Sequence, residues 1–344
     1  MKKMRLGAMA VAIVAGVGAF LGAQRLELIP GPWSKPDAGE MYLSSGVAAL
    51  AAASAAIAAG PDDYMTYYRR GTQYQLQGQY ELALTDLNRA VELSPTPLSL
   101  EVLGVRALDS GSRDTHTLGL VFLLRKTRAE TLQRLNRPTE AIADLDAAIK
   151  LDPRKTDPFY SRGLLQAKTG RYDAAIADFD ALLQRRSDVN WYFGRGLAKY
   201  FKGEWNGAAD DFQQAVRRMP GDNAYLIWLA KAHLRAGMPL QAELFANLDR
   251  NGSAWAVVEA LMSDDDPAQF VSGVRAGAGY AGSNEQDARC KATVFLGEWL
   301  TIRKSGVGAR EIFTEAENVC PPLSLEKAVA SAELLRVPAG AVTP

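Results

Sequence analysis

Residues able to do chemistry are few in this chain. It holds two histidines, His116 and His233, and two cysteines, Cys290 and Cys320. A nucleophile needs a base within reach, and no spacing here pairs one with a histidine. Gly277 to Gly282, GAGYAG, has the form GxGxxG. A dinucleotide fingerprint needs a strand before it and an acidic residue about twenty positions later. A helix-like stretch precedes this one, and Ile302 stands at the later position. Asp264 to Asp266 followed by Pro267 offers three carboxylates. The other oxygen ligands of a calcium loop are missing, and a helix start explains the aspartates and the proline together. The residues therefore supply no catalytic set, no cofactor and no metal site. What remains is a surface, and the elements that shape it.

The chain has 344 residues, with 39 lysines and arginines against 39 aspartates and glutamates, and 48% hydrophobic residues. That length suits two average domains or one long repeat array. The charge balance lacks the basic excess of a nucleic-acid binder. Lys2, Lys3 and Arg5 precede an uncharged run from Leu6 to Ala23. This is the pattern of a secretory signal, with cleavage after Ala19 or Ala23, or of an uncleaved anchor. Either places the body of the protein outside the cytoplasm, in the periplasm or anchored facing it. No cysteine near the junction marks a lipoprotein. Residues 24–63 read as a linker, with Pro30, Gly31, Pro32 and Pro36. Within it GVAALAAASAAIAAGP, residues 46–61, is either a capping helix or low-complexity linker.

From Tyr64 onward small residues recur in phase. With frames starting at Tyr64, Phe122, Thr156, Val189, Asn223 and Cys290, position 8 holds Gly71, Ala129, Gly163, Gly196, Ala230 and Gly297. Position 20 is alanine in all six, and position 24 is Leu87, Leu145, Phe179, Phe212, Ala246 and Phe313. Small residues at 8 and 20 let two antiparallel helices approach, and the larger residue at 24 fills the space beside them. Glycine near position 15 (Gly78, Gly170, Gly203, Gly237) ends the first helix, and proline at 32 (Pro95, Pro153, Pro220, Pro321) stops the second. Each unit has apolar surface on two sides and must stack on neighbours.

This spacing resembles the tetratricopeptide repeat, whose period is about 34 residues. The resemblance implies an all-α solenoid of helix-turn-helix repeats in a right-handed superhelix over residues 64–337. The repeats fall near 64–97, 122–155, 156–188, 189–222, 223–256 and 290–323, with inserts at 98–121 and 257–289. LSLEKAVASAELLRV should form a capping helix in 324–337, with Leu325, Val329, Ala332 and Leu335 inward and Glu326, Lys327, Glu333 and Arg336 outward. A disordered tail, 338–344, follows. The order of array, WAVVEALM, CKATVFLGEWL, AREIFTEAENVCP and closing helix is similar to the NlpI-type family of exported repeat proteins. That likeness implies adaptor work at the bacterial cell envelope, docking hydrolases or proteases.

In such arrays positions 2, 5, 9, 12 and 13 line the concave face. Carried over, they make Tyr68, Tyr160, Lys168, Phe193, Tyr200, Phe201, Lys231 and Arg235 the candidate partner-binding residues, an aromatic strip flanked by cations. Cys290 and Cys320 fall at positions 1 and 31 of one unit, where the ends of the two antiparallel helices lie side by side. An exported protein would join them in a disulfide. The expected function is a non-catalytic scaffold that binds a protein or extended segment in its groove. It would touch a membrane only through its N-terminal segment. The alternatives are a self-associating structural oligomer, or an envelope enzyme with its site in the inserts.

Overall fold

The computed structural model describes residues 38–60, 63–95, 113–220, 222–240, 285–303 and 308–337. The signal segment, most of the linker, residues 257–284 of the second insert, including Asp264 to Asp266 and GAGYAG, and the tail lie outside that range. Among the described residues there are thirteen helices and no strand. Contacts divide the chain into residues 1–54 and 55–344. Helix α1, Ala38–Ala59, is the alanine-rich segment, helical as alanine propensity dictates. No helix is long and apolar enough to cross a membrane among the described residues.

The rest of the described chain is a series of helix pairs. They run α2 Tyr64–Leu76 with α3 Tyr80–Leu93, α4 Arg113–Arg134 with α5 Pro138–Leu151, and α6 Asp157–Lys168 with α7 Tyr172–Leu183. Then come α8 Val189–Lys202 with α9 Trp205–Arg218, α10 Asn223–Arg235, α11 Glu285–Arg303 with α12 Ala309–Val319, and α13 Leu325–Leu334. The second helix of the fifth repeat lies outside the described residues. Asp63, Asp188, Asp222 and Ser324 cap the starts of α2, α8, α10 and α13 by accepting backbone N–H bonds. Gly78, Gly170, Gly203 and Gly237 sit at positive φ in the turns, and Asn136 takes that place in the second repeat with φ 54°.

Positions 8 and 24 meet as their sizes require. A Cβ added at Gly196 would lie 2.6 Å from the Phe212 ring, and one at Gly297 would lie 2.5 Å from the Phe313 ring. Gly194 extends the same packing between repeats, since its Cβ would stand 2.4 Å from Phe179 of the preceding unit.

A second periodic device holds the stack. Arg70, Arg128, Arg162 and Arg195 each clasp an aspartate sixteen residues on: Asp86, Asp144, Asp178 and Asp211. Each arginine presents two guanidinium nitrogens to the two carboxylate oxygens, the bidentate geometry that makes such pairs strong. Three of them also reach back one repeat, Arg128 to Asn88, Arg162 to Asp146 and Arg195 to Asp180. Leu229 and Leu296 replace the arginine in the last two units.

Two boundaries differ from the periodic frame. Helix α4 begins at Arg113 rather than at Phe122, because Leu118 and Val121 are buried against Ala148 and Leu151 at the end of α5. Helix α11 begins at Glu285 rather than at Cys290. Both inserts therefore give their last turns to a repeat helix.

Candidate functional site

The first helices of the repeats, α2, α4, α6, α8 and α10, present positions 5, 12 and 13 along one face. Tyr68 is half-buried there, packed against the Ala83, Leu87 and Leu124 cluster. Tyr160 meets Phe179 edge-on at 6.1 Å, and burial pushes its phenol above the usual range. Phe193 packs among Phe212, Tyr225 and Trp228, with ring centroids 5.6, 4.9 and 6.5 Å away.

The strip as a whole is not open, and four residues need correction. Tyr200 and Phe201 are each 1% exposed, so neither is a solvent-facing anchor. Lys231 is engaged, its Nζ 2.7 Å from Glu298. Arg235 is engaged too, its Nη2 donating to both Glu333 oxygens at 3.0 and 2.9 Å, with both side chains nearly inaccessible. The cause is the C-terminal part of the chain, which returns to this face. Tyr200 Oη donates to Glu298 of α11 at 2.8 Å, and burial raises that phenol well above its ordinary pKa, Glu298 adding to the effect. Arg336, just beyond α13, donates to the carbonyls of Phe201 and Tyr200 at the end of α8. The guanidinium groups of Arg235 and Arg336 lie over the Trp205 ring, at 4.4 and 5.9 Å.

Helix α13 thus does not sit with Glu333 outward. Glu333 is 1% exposed, while Leu335, expected inside, is 83% exposed. The buried arginine of α10 draws the carboxylate in and rotates the helix away from its purely apolar register. Glu298, Glu333 and Arg336 were not legible as groove residues, because no periodicity signals that a distant helix folds onto the array.

Among the described residues, the half of the face built by α2, α4 and α6 is uncovered. It forms a cavity of about 520 Å³ lined by Gln75, Gln133, Arg134, Leu164 and Lys168, with Pro322 and Leu323 of the α12–α13 turn closing one end. Glu130 also lines it, 4.0 Å from Lys126, which in turn lies 3.3 Å from Asp157. Arg134 and Lys168 have no ion-pair partner among the described residues. Burial holds the Lys168 amine below its ordinary pKa, and Glu326 of α13 offsets part of that. A cation desolvated without a full counter-charge favours an arriving anion.

Cys290 and Cys320 are joined, with Cα atoms 4.8 Å apart. The bond ties the first turns of α11 to the end of α12. No group of three or more histidines, cysteines or carboxylates could hold a metal among the described residues. The His233 ring nitrogen Nδ1 stands 3.4 Å from the Pro239 carbonyl, a local contact outside the groove.

A family model described as a tetratricopeptide repeat matches residues 126–190 and 193–252, and a second with that description matches 64–97. The second stretch crosses the fifth repeat, whose latter helix lies outside the described residues. DnaJ homolog subfamily C member 3 of Rattus norvegicus is 24% identical over 213 residues, covering 44% of this chain and 42% of that protein. Its counterpart in Bos taurus is 22% identical over 265 residues, covering 56% and 53%. The chain thus spans about half the length of these relatives. A solved tetratricopeptide repeat protein from Parabacteroides merdae is 17% identical, covering 85% of this chain and 93% of its own, with a TM-score of 0.49.

Proposed function

We propose that this tetratricopeptide-repeat chain is a non-catalytic adaptor that binds an acidic, extended segment of another protein in the open half of its groove. Stacked repeats create extended concave surfaces, and such surfaces are used to bind proteins and peptides. The observation that carries the reading is the pair Arg134 and Lys168, two cations with no ion pair among the described residues, lining a cavity of about 520 Å³. Leu164 and Leu323 give the same cavity apolar wall, so an acidic segment with an aliphatic side chain fits both chemistries. Gln75 and Gln133 line the cavity too, and an amide side chain can both donate to and accept from an extended backbone.

The test is selection from a random peptide library on the immobilised full-length protein. Acidic sequences should be enriched, and the enrichment should vanish on an Arg134→Ala/Lys168→Ala protein while persisting on Arg217→Ala, an exposed control on α9. Enrichment indifferent to the double substitution would move the site elsewhere.

The adaptor works outside the cytoplasm in this proposal, directed there by Lys2, Lys3, Arg5 and the apolar run after them. Residues 1–45 fused to a reporter active only after export should give signal. A silent, well-expressed fusion would contradict export.

A further inference from the structure

The covered half of the groove is occupied by the chain's own C-terminal helices. Helix α13 lies across α6 and α8 and joins Arg235 of α10 through Glu333. Glu326 stands seven positions before Glu333, two helical turns, and so shares its face of the helix. Glu326 acts on Lys168 at position 13 of the third repeat. Glu333 pairs with Arg235 at position 13 of the fifth. Between them, Arg336 closes on the carbonyl of Phe201, position 13 of the fourth. Position 13 of the fourth and fifth repeats thus meets α13 and the turn that follows it.

Ala328, Val329, Ala330 and Ala332 are buried, and α13 packs on α11 and α12 as well as on the groove. Small side chains bring the helix close and bury little apolar area each. The direct polar contacts to the groove come from Glu333 and Arg336. Around Glu333 and Arg336 lie Arg235 and Trp205, residue types that dominate protein interfaces, beside the Tyr200 and Phe201 carbonyls. A helix of another protein with two carboxylates two turns apart would meet the same cations.

We infer that α13 is an internal ligand of the groove: it occupies the half carrying Tyr200, Phe201 and Arg235, and an acidic helix of a partner protein competes with it there. Lys168 borders both halves, so the test here reads Arg235, and binding in the open half is tested separately.

The probe is a fluorescent synthetic peptide of residues 322–337, offered to the full-length chain. A Glu333→Arg chain sets like charge against Arg235 and releases α13. It should bind the peptide at least about tenfold more tightly than the wild-type chain, and adding Arg235→Ala should remove that binding. Hydrogen exchange should show the amides of 325–334 freed in the variant, with 190–202 still protected. Equal binding to both chains, or released α13 with no peptide binding, would overturn the inference, as would an α13 that stays protected in the variant. If the variant fails to fold, exchange in the wild-type chain decides. Protection of α13 at least about tenfold below that of α8 supports an independently opening ligand, and equal protection makes it ordinary core and overturns the inference.

Discussion

One methyl group separates a packed repeat from a strained one at position 8. A Cβ at residue 196 would stand 2.6 Å from the Phe212 ring, so Gly196→Ala should cost about 1–3 kcal/mol by overpacking. Phe212→Leu in the same chain should recover part of that, since the second repeat already pairs Ala129 with Leu145. Thermal unfolding of the single and double variants measures both. The arginine–aspartate pairs give a sharper contrast. Arg162→Ala leaves Asp178, 5% exposed, without its bidentate partner, a loss of about 3 kcal/mol or more. Arg137→Ala breaks a pair with Glu140 that is 42% and 56% exposed, and should change stability by about 0.5 kcal/mol or less. Chemical denaturation distinguishes the two, and equal effects would mean the inter-helix pairs do not hold the stack. The alternation of small and large residues was readable in the sequence because size alone sets helix approach. The sixteen-residue arginine–aspartate spacing was present too, but it appears only when charge rather than size is tracked through the frame.

At the scale of elements, the cysteines were legible and α13 was not. Positions 1 and 31 sit at one end of a helix hairpin, so Cys290 and Cys320 follow from the register. The bond spans a sequence separation of 30, and closing such a loop stabilises by about 3.5 kcal/mol in the chain-entropy model. A Cys290→Ala/Cys320→Ala protein should show faster hydrogen exchange in α11 and α12 and unchanged exchange in α2 through α7. Uniform loss of protection across the array would instead make the last hairpin part of one cooperative unit with the first repeats. The apolar stripe of α13 pointed to Leu335 as inward and Glu333 as outward. The error arises because a hydrophobic pattern weighs each residue by its own polarity, and a buried carboxylate met by two arginines is invisible to it.

At the scale of the whole molecule, a periodic frame implies that each repeat touches only its neighbours. Tyr200 with Glu298 and Arg235 with Glu333, each pair 98 residues apart, break that rule. They divide the concave face into a half covered by the chain's own C-terminal helices and a half left open between α2, α4 and α6. Sequence spacing placed the right positions on the face but not the cover over them. That is why Lys168 remains a candidate for binding while Tyr200, Phe201, Lys231 and Arg235 do not in this state.

The reading that the open half takes an anion has a signature in protons. Burial lowers the Lys168 pKa, and an anion beside it raises that pKa again, so binding at an alkaline pH where the free amine has begun to lose its proton takes up protons. Isothermal titration of a library-selected acidic peptide, in two buffers of different ionisation heat, reads affinity and proton uptake together. The account predicts proton uptake with the wild-type chain, and affinity at least about tenfold weaker with no uptake for Arg134→Ala/Lys168→Ala at unchanged helicity. Equal affinity for both proteins would contradict it.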